Sequence, residues 1–420
     1  MMFNCEVNKK LLLMKICFFL YDFGIAPINP FLQTIARQRG IPVLYIGVIF
    51  TILPILNVIV RPITGYLTDR YRCRKRVLLC VSLINALFTP LIHFTPRFDQ
   101  NGETEDILKY WQFWMFWGTV TVRMMLWMIG DVLQDTICFE ILGEDKKNYG
   151  RNRVWGAIGW GISTFLVGGC VDWYSMGKKE KDYLPAYFIA MASLLCHFTL
   201  AFQLNSNQTT SPKIMFKDIK MILSNVKVCS YLVWAIFAGI FTAYIWFYLF
   251  LYIDDLAKIY HQERLPWIKT IQGFAVTIEC CISEIPIYFL SGYILKYTGH
   301  MTAFSISFAM FSLRFFLYSI IEDPLWVLPV EMTNGLSFAM AFIAGVSYAA
   351  EVAPAGSEGT LQGLFGMAFH GIGISFGSFS AGYSFEKVGS KNAFGLLSYV
   401  AFFTCLVQIS INKLINMRKK

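Results

Sequence analysis

Residues 43–76 read VLYIGVIFTILPILNVIVRPITGYLTDRYRCRKR. An apolar run fills 43–67 and stops in Gly65-Tyr66-Leu67-Thr68-Asp69-Arg70-Tyr71-Arg72-Cys73-Arg74-Lys75-Arg76, where the charge turns basic. A run of about twenty apolar residues crosses about 30 Å of hydrocarbon as a helix at 1.5 Å per residue. A helix satisfies its own backbone hydrogen bonds, which lipid cannot do. Basic residues at one end mark the side of the membrane that retains positive charge. The stretch therefore predicts a spanning helix that ends in an inner, basic turn and leads into the next span.

The rest of the chain repeats this pattern. Of its 420 residues 56% are hydrophobic and 15% charged, against about a quarter charged in soluble domains. Further apolar blocks lie near 11–35, 77–95, 110–138, 154–172, 183–204, 229–253, 267–295, 301–320, 325–350, 359–385 and 393–412. The expectation is an all-α membrane protein of about twelve transmembrane helices. The alternation over about ten residues that a β-barrel strand would show is missing. The 31 Gly and 38 Phe suit helices packed in lipid. Most of the 11 Cys fall inside apolar blocks and none has metal-site spacing, so they read as small hydrophobes and not as a disulfide framework. The first block runs past signal-peptide length.

The longest polar connection, 205–228, carries Lys213, Lys217, Lys220 and Lys227. It divides the chain into an N-terminal six-helix half, 1–204, a cytoplasmic central loop, 205–228, and a C-terminal six-helix half, 229–420. Basic residues crowd 70–76, 146–153, the central loop and 413–420, which share one side; both termini are expected in the cytoplasm. The net charge of +9 follows from those loops and does not point to nucleic acid. The acidic loop 96–109 and Trp111, Trp114, Tyr183, Trp267 and Trp326 mark the outer interface. The sequon Asn207-Gln208-Thr209 then falls inside and is expected to be unused. The halves echo each other, Gly65-Tyr66 with Gly292-Tyr293 and Gly156-x-x-Gly159 with Gly363-x-x-Gly366. Parallel six-helix repeats imply two pseudo-symmetric bundles with a binding site near the midplane.

Three constellations carry chemistry. In the first, Gly65 leaves room for a neighbouring helix, and Asp69, with Arg70 and Arg74, can latch one conformation through charge-assisted bonds or a helix cap. The plain alternative is a positive-inside loop. In the second, Tyr149-Gly150-Arg151-Asn152-Arg153 opens the fifth span and Asp135 stands eighteen residues before Arg153. Antiparallel fourth and fifth helices bring Asp135 and Arg153 face to face, a fork of donors and acceptors that suits a polyhydroxylated solute. Trp160, two turns along from Arg153, can stack on the apolar face of a sugar or base. Asp22 in the first span, where Pro27 and Pro30 predict a bend, and Asp131 with Arg123 in the fourth are expected on the same cavity. The alternative is a structural ion pair with an interfacial Trp. The third constellation is Glu279 and Glu284 in the eighth span, Arg314 in the ninth and Glu331 in the tenth. A charge at the bilayer centre costs about 2.5–3.5 kcal/mol or more, so four in adjacent spans suggest a proton relay, or an Arg that neutralises one Glu. The lone His370 reads as a satisfied buried histidine.

The motif at 65–76 resembles the inter-helix motif of the major facilitator superfamily, at the place the family puts it. Gly24, Pro27, Pro30, the run Tyr149–Trp160 and the run Pro354–Gly363 resemble the lactose-permease-like branch, the oligosaccharide–proton symporters, and the animal orphan transporters grouped with it. The resemblance implies the major facilitator fold and a sugar site at Asp135, Arg153 and Trp160. It also places Arg314 where those symporters keep the Arg of their relay. Three positions depart from the pattern. Arg72 stands where the family has Gly, Asn334 where the relay has His, and Ser337 where it has its proton-carrying Glu, which leaves Glu331 or Glu284 as carrier.

No catalytic triad, phosphate loop or metal-ligand cluster is visible, so neither an enzyme nor a metal site is expected. The expectation is a monomeric secondary transporter in the lipid bilayer, by default that of the plasma membrane. It would bind a small polar solute, sugar- or nucleoside-like, and use no cofactor beyond a proton as coupling ion. The competing reading is a receptor or scaffold that keeps the transporter fold without transport.

Overall fold

The computed structural model describes residues 9–97, 107–142, 149–204, 226–352 and 358–417. The central-loop stretch 205–225 with its sequon, most of the acidic loop, Pro354 and the side chain of Asp69 lie outside the described residues. Among the described residues there is no strand. The helices are α1 Lys9–Ile25, α2 Leu32–Gln38, α3 Val43–Arg70, α4 Arg74–Phe88, α5 Trp111–Leu142, α6 Tyr149–Tyr174, α7 Leu184–Ala201, α8 Val226–Ile259, α9 Ile268–Thr277, α10 Ile285–Thr298, α11 His300–Ile320, α12 Val327–Glu331, α13 Met340–Val352, α14 Glu358–Gly366, α15 Ile374–Val388 and α16 Ser390–Met417. Eleven helical segments among the described residues are long and apolar enough to cross a membrane. Their bounds lie within a few residues of the sequence reading. The remaining expected span, α5, has 32 residues and carries Arg123, Asp131, Asp135 and Glu140.

Several spans are broken, each for a local reason. The first stops at Ile25 and resumes through a short 3-10 turn, Asn29–Phe31, into α2. Pro27 and Pro30 supply no N–H, and their rings clash with the preceding turn, so the expected bend is a full break. Wider π-helical turns interrupt three later spans at Ile278–Glu284, Gly335–Ala339 and Met367–Gly373. At the turn between α3 and α4, Arg72 takes a φ of +48°. The left-handed backbone that glycine adopts freely is kept here by a residue that pays a steric penalty for it.

The chain forms two compact units, one of Met1–Leu32, Gln38–Gly40 and Ile59–Ser211, the other of Gln33–Arg37, Ile41–Val58 and Pro212–Lys420. In the first unit α1 is held against α6 and α7. A Cβ added at Gly159 would collide with the Phe19 carbonyl oxygen, and one at Gly24 with Leu194. Ser163 and Ser193 donate hydroxyl hydrogen bonds to the Phe23 and Leu20 carbonyls, each at 2.7 Å. Small residues and hydroxyls of this kind let helices approach and bond where lipid offers no hydrophobic drive.

The second unit packs aromatic rings from α8, α11 and α16, among them Trp234, Phe241, Tyr252, Phe308, Phe315 and Phe394. Its buried tyrosines find backbone acceptors, Tyr231 on the Gly345 carbonyl at 2.7 Å and Tyr248 on that of Ser378 at 3.1 Å. Tyr183 departs from its expected place at the interface: it is buried against the Phe31 ring. Trp111, Trp114, Trp267 and Trp326 are exposed.

Two glycine readings are corrected. Among the described residues nothing lies within 4 Å of the place a Cβ would take at Gly65, Gly292, Gly363 or Gly366. Gly65 therefore sits on an open helix face and not at a close approach. The packing counterpart of Gly156 and Gly159 is Gly373 and Gly377, which face the Ile236 and Ile240 carbonyls of α8.

This distinction has a measurable consequence. Gly159→Ala is expected to cost about 1–3 kcal/mol, as overpacking against backbone does, and to lower the melting temperature in detergent. Gly366→Ala, set in open space, is expected to leave it unchanged or raise it through about 1 kcal/mol of helix propensity.

Candidate functional site

The first unit gathers charge around Arg153, on the first turns of α6. One terminal nitrogen binds the Asp22 carboxylate, the other reaches Asp131 Oδ1 at 3.1 Å, and Nε lies 3.7 Å from Asp135. Three aspartates from α1 and α5 thus surround one guanidinium. The expected partner, Asp135, is the most distant of the three and accepts a hydrogen bond from Tyr149 at 2.7 Å. Asp22 comes closest because Gly156 has no side chain: a Cβ there would overlap the Asp22 carboxylate and the Arg153 guanidinium. The Phe18 ring lies 5.4 Å from the guanidinium carbon, within range of a cation–π contact.

Sequence reasoning missed Arg61, which donates to Asp131 at 3.1 Å. The signal was available, since Arg61 is a lone cation inside an apolar span. Arg123 does not join this group. It is buried elsewhere in the unit, on Asn29, Thr89 and the Ile25 carbonyl, so the expected sharing of a cavity with Asp131 is not what the structure has. Trp160 holds its ring 5.8 Å from that of Trp127 of α5, tilted by 39°. Its ring completes an apolar wall with Tyr21, Ile25 and Leu194.

The two sides of this site differ in exposure. Asp22 is almost closed off, at 5%, while the Arg153 side chain keeps 33% of its surface and Asp135 27%. A cation fixed by carboxylates on one side and open on the other can still offer N–H groups to a molecule in the opening.

The second unit builds a closed network on Arg314 of α11. Its Nε donates to the Tyr318 hydroxyl at 2.9 Å, and one terminal nitrogen to Asn334 at 2.6 Å and Ser337 at 3.4 Å. The other terminal nitrogen binds Glu331, which also accepts from Tyr318, and lies 3.8 Å from Glu279. Asn334 turns its amide nitrogen to Glu284 at 2.9 Å. Every expected member of the group is present and buried.

Backbone geometry explains how Glu279 and Glu284, five apart, reach one network. In an α-helix residues three or four apart share a face; a turn closed by i→i+5 bonds aligns residues five apart. Ser283 anchors this turn to its neighbour. It donates to the Met332 carbonyl at 2.7 Å and accepts from the Gly335 N–H at 2.6 Å. Asn334 and Ser337, the two departures from the symporter pattern, are both bonded to Arg314. His370 is half-buried and lies over Trp246 at 6.3 Å.

Of the inter-helix motif, Arg74 is buried in an ion pair with Glu140 of α5, a partner the sequence did not single out. Arg70 is exposed and donates to Tyr66 at 3.0 Å.

The chain matches the MFS_1 like family over residues 11–396. It is 24% identical to the uncharacterized transporter YwbF of Bacillus subtilis, over 98% of this chain and 96% of that one. It is 22% identical to the maltose permease of Geobacillus stearothermophilus, over 88% of this chain and 86% of that one. The crystal structure of the nucleoside transporter NupG superimposes with a TM-score of 0.78 at 15% identity, covering 96% of this chain and 99% of that one. The fold is that of the major facilitators.

Removing one member of a buried ion pair leaves the other uncompensated, which costs about 3–5 kcal/mol. Arg314→Met and Glu331→Leu are each expected to destabilise the protein by that order. Together they should cost less than their sum, as read from unfolding of the two single variants and the double variant in detergent.

Proposed function

The chain belongs to the MFS_1 like family, and we propose that this multi-pass transporter moves a small polar solute, sugar- or nucleoside-like, by alternating access and in symport with protons. The observation that carries the reading is the half-open Arg153, ringed by Asp22, Asp131 and Asp135. A sugar or ribose hydroxyl both donates and accepts. Neighbouring hydroxyls can therefore bind the guanidinium and a carboxylate at once. The Trp127–Trp160 wall offers an aromatic face for the apolar side of the ring. The maltose permease and the nucleoside transporter named above bear on the solute class through their own substrates.

Proton coupling is assigned to the sealed network. It is too enclosed for a solute but holds three carboxyls, Glu279, Glu284 and Glu331, against one guanidinium, Arg314. An acid in excess of the available cation is what a proton carrier needs. The working form in this reading is a monomer in the plasma membrane with both termini in the cytoplasm.

Purified protein in liposomes, given radiolabelled sugars and nucleosides, tests each part. Uptake by the wild type should accelerate with an inward proton gradient. Arg153→Ala should abolish uptake while still giving a folded protein, with a melting temperature lowered because Asp22 loses its partner. Glu331→Gln should keep solute exchange and lose the response to the gradient. Normal uptake by Arg153→Ala removes the solute site. Uptake indifferent to the gradient makes the protein a facilitator. A folded protein that moves no solute would favour the receptor reading.

A further inference from the structure

Arg123 sits in the middle of α5 and is wholly buried. Its Nε donates to the Thr89 hydroxyl at 3.2 Å, one terminal nitrogen to Asn29 Oδ1, and the other to the Ile25 carbonyl at 3.2 Å. None of these acceptors is a carboxylate. Ile25 ends α1, so its carbonyl belongs to a helix C-terminus, which offers roughly half a negative charge. The remaining positive charge has no counterpart among these contacts, and a buried charge without one is strongly destabilising.

A second observation is independent of charge. A guanidinium carries five N–H groups, and the three bonds above leave some of them over. Asn29 turns its oxygen to Arg123. Asn85 turns its own oxygen to the Thr89 hydroxyl at 3.3 Å. The Nδ2 groups of both amides are buried and make no hydrogen bond to any described residue. Asn85 is fully enclosed and Asn29 is 8% exposed. Two amides thus hold spare donors near one uncompensated cation, Asn29 directly on the guanidinium and Asn85 one hydroxyl away through Thr89, whose proton it shares with its own backbone carbonyl at 2.8 Å. A water molecule would satisfy donors and bring no charge. An anion satisfies donors and supplies the charge.

We infer that Arg123, Asn29 and Asn85 form a buried binding site for a small monovalent anion of about the size of chloride. The enclosure of Arg123 and Asn85 favours a free ion over the acidic group of a larger solute. The site shares no residue with the Arg153 cluster, so it stands whether or not that cluster binds the solute.

Thermal melting of the purified, full-length protein tests this, titrating chloride against gluconate at constant ionic strength. The wild type should gain several degrees and saturate, as a ligand that binds only the folded state requires. Asn85→Leu should shift the chloride midpoint at least tenfold upward. Asn85→Asp places a fixed carboxylate one hydroxyl away from the guanidinium, across Thr89, so its melting temperature should no longer respond to chloride and should exceed that of wild type in gluconate. A wild type that melts alike in both salts overturns the inference. So does a chloride effect that never saturates, or one that Asn85→Leu leaves at the wild-type midpoint.

Discussion

A charge inside a bilayer is tolerated only with a partner, and much of this protein's irregularity follows from that constraint. Arg153 can meet Asp22 only if α1 and α6 come together without an intervening side chain, which is what Gly156 permits and Gly159 extends. Arg74, at the basic end of the motif, is withdrawn from solvent to meet Glu140. Arg314 collects a Tyr, an Asn, a Ser and two acids. The helices in these places are arranged around the ion pairs, and the apolar residues fill the space that remains.

Breaks in the helices serve the same end. Residues 278–284 and 335–339 abandon α-helical geometry where the acids and Asn334 must face Arg314. The groups loosened by that change are gathered up again by Ser283, which bonds the Met332 carbonyl and the Gly335 N–H. Non-helical backbone at membrane depth is tolerated where other protein groups satisfy it. The proline break after α1 obeys the same rule, with the freed Ile25 carbonyl taken by Arg123.

The spans were legible because apolar length and basic flanks are one-dimensional signals. So were the ionisable residues, since a charge in an apolar run stands out whatever its partner. The partners were harder. Asp135 looked like the mate of Arg153 because helix-hairpin geometry relates them in sequence, whereas Asp22 approaches from another helix through a gap that depends on Gly156. An α-helical count puts Glu279 and Glu284, five apart, on different faces, and nothing in composition announces the π turn that brings them to one network. Gly65 shows the opposite error. A glycine in a motif reads as a point of close approach, but only the neighbouring helix decides that, and here no described residue comes within 4 Å of a Cβ's place. Arg72 matters for the same reason: the left-handed turn is retained without the residue that usually signals it.

The two charged networks differ most in what can reach them, and this bears on how the proposed coupling would work. The Arg153 cluster is open on one side, while the Arg314 network is closed by Tyr318, Asn334 and Ser337. On the proposed mechanism, Asn334 cannot carry a proton as a histidine would, because an amide has no group that titrates near neutral pH. It can bond Arg314 through its oxygen and Glu284 through its nitrogen, which fixes the distance between cation and acid. Ser337 likewise bonds Arg314 without adding an acid. Proton traffic would then fall to Glu279, Glu284 and Glu331, with Arg314 choosing among them. Glu331 is tied to both Arg314 and Tyr318, whereas Glu279 touches Arg314 only at 3.8 Å and leaves Oε1 without a hydrogen bond to any described residue. Glu331 is therefore the acid that would lose most when Arg314 moves, and Glu279 the one placed to take up the guanidinium in its stead.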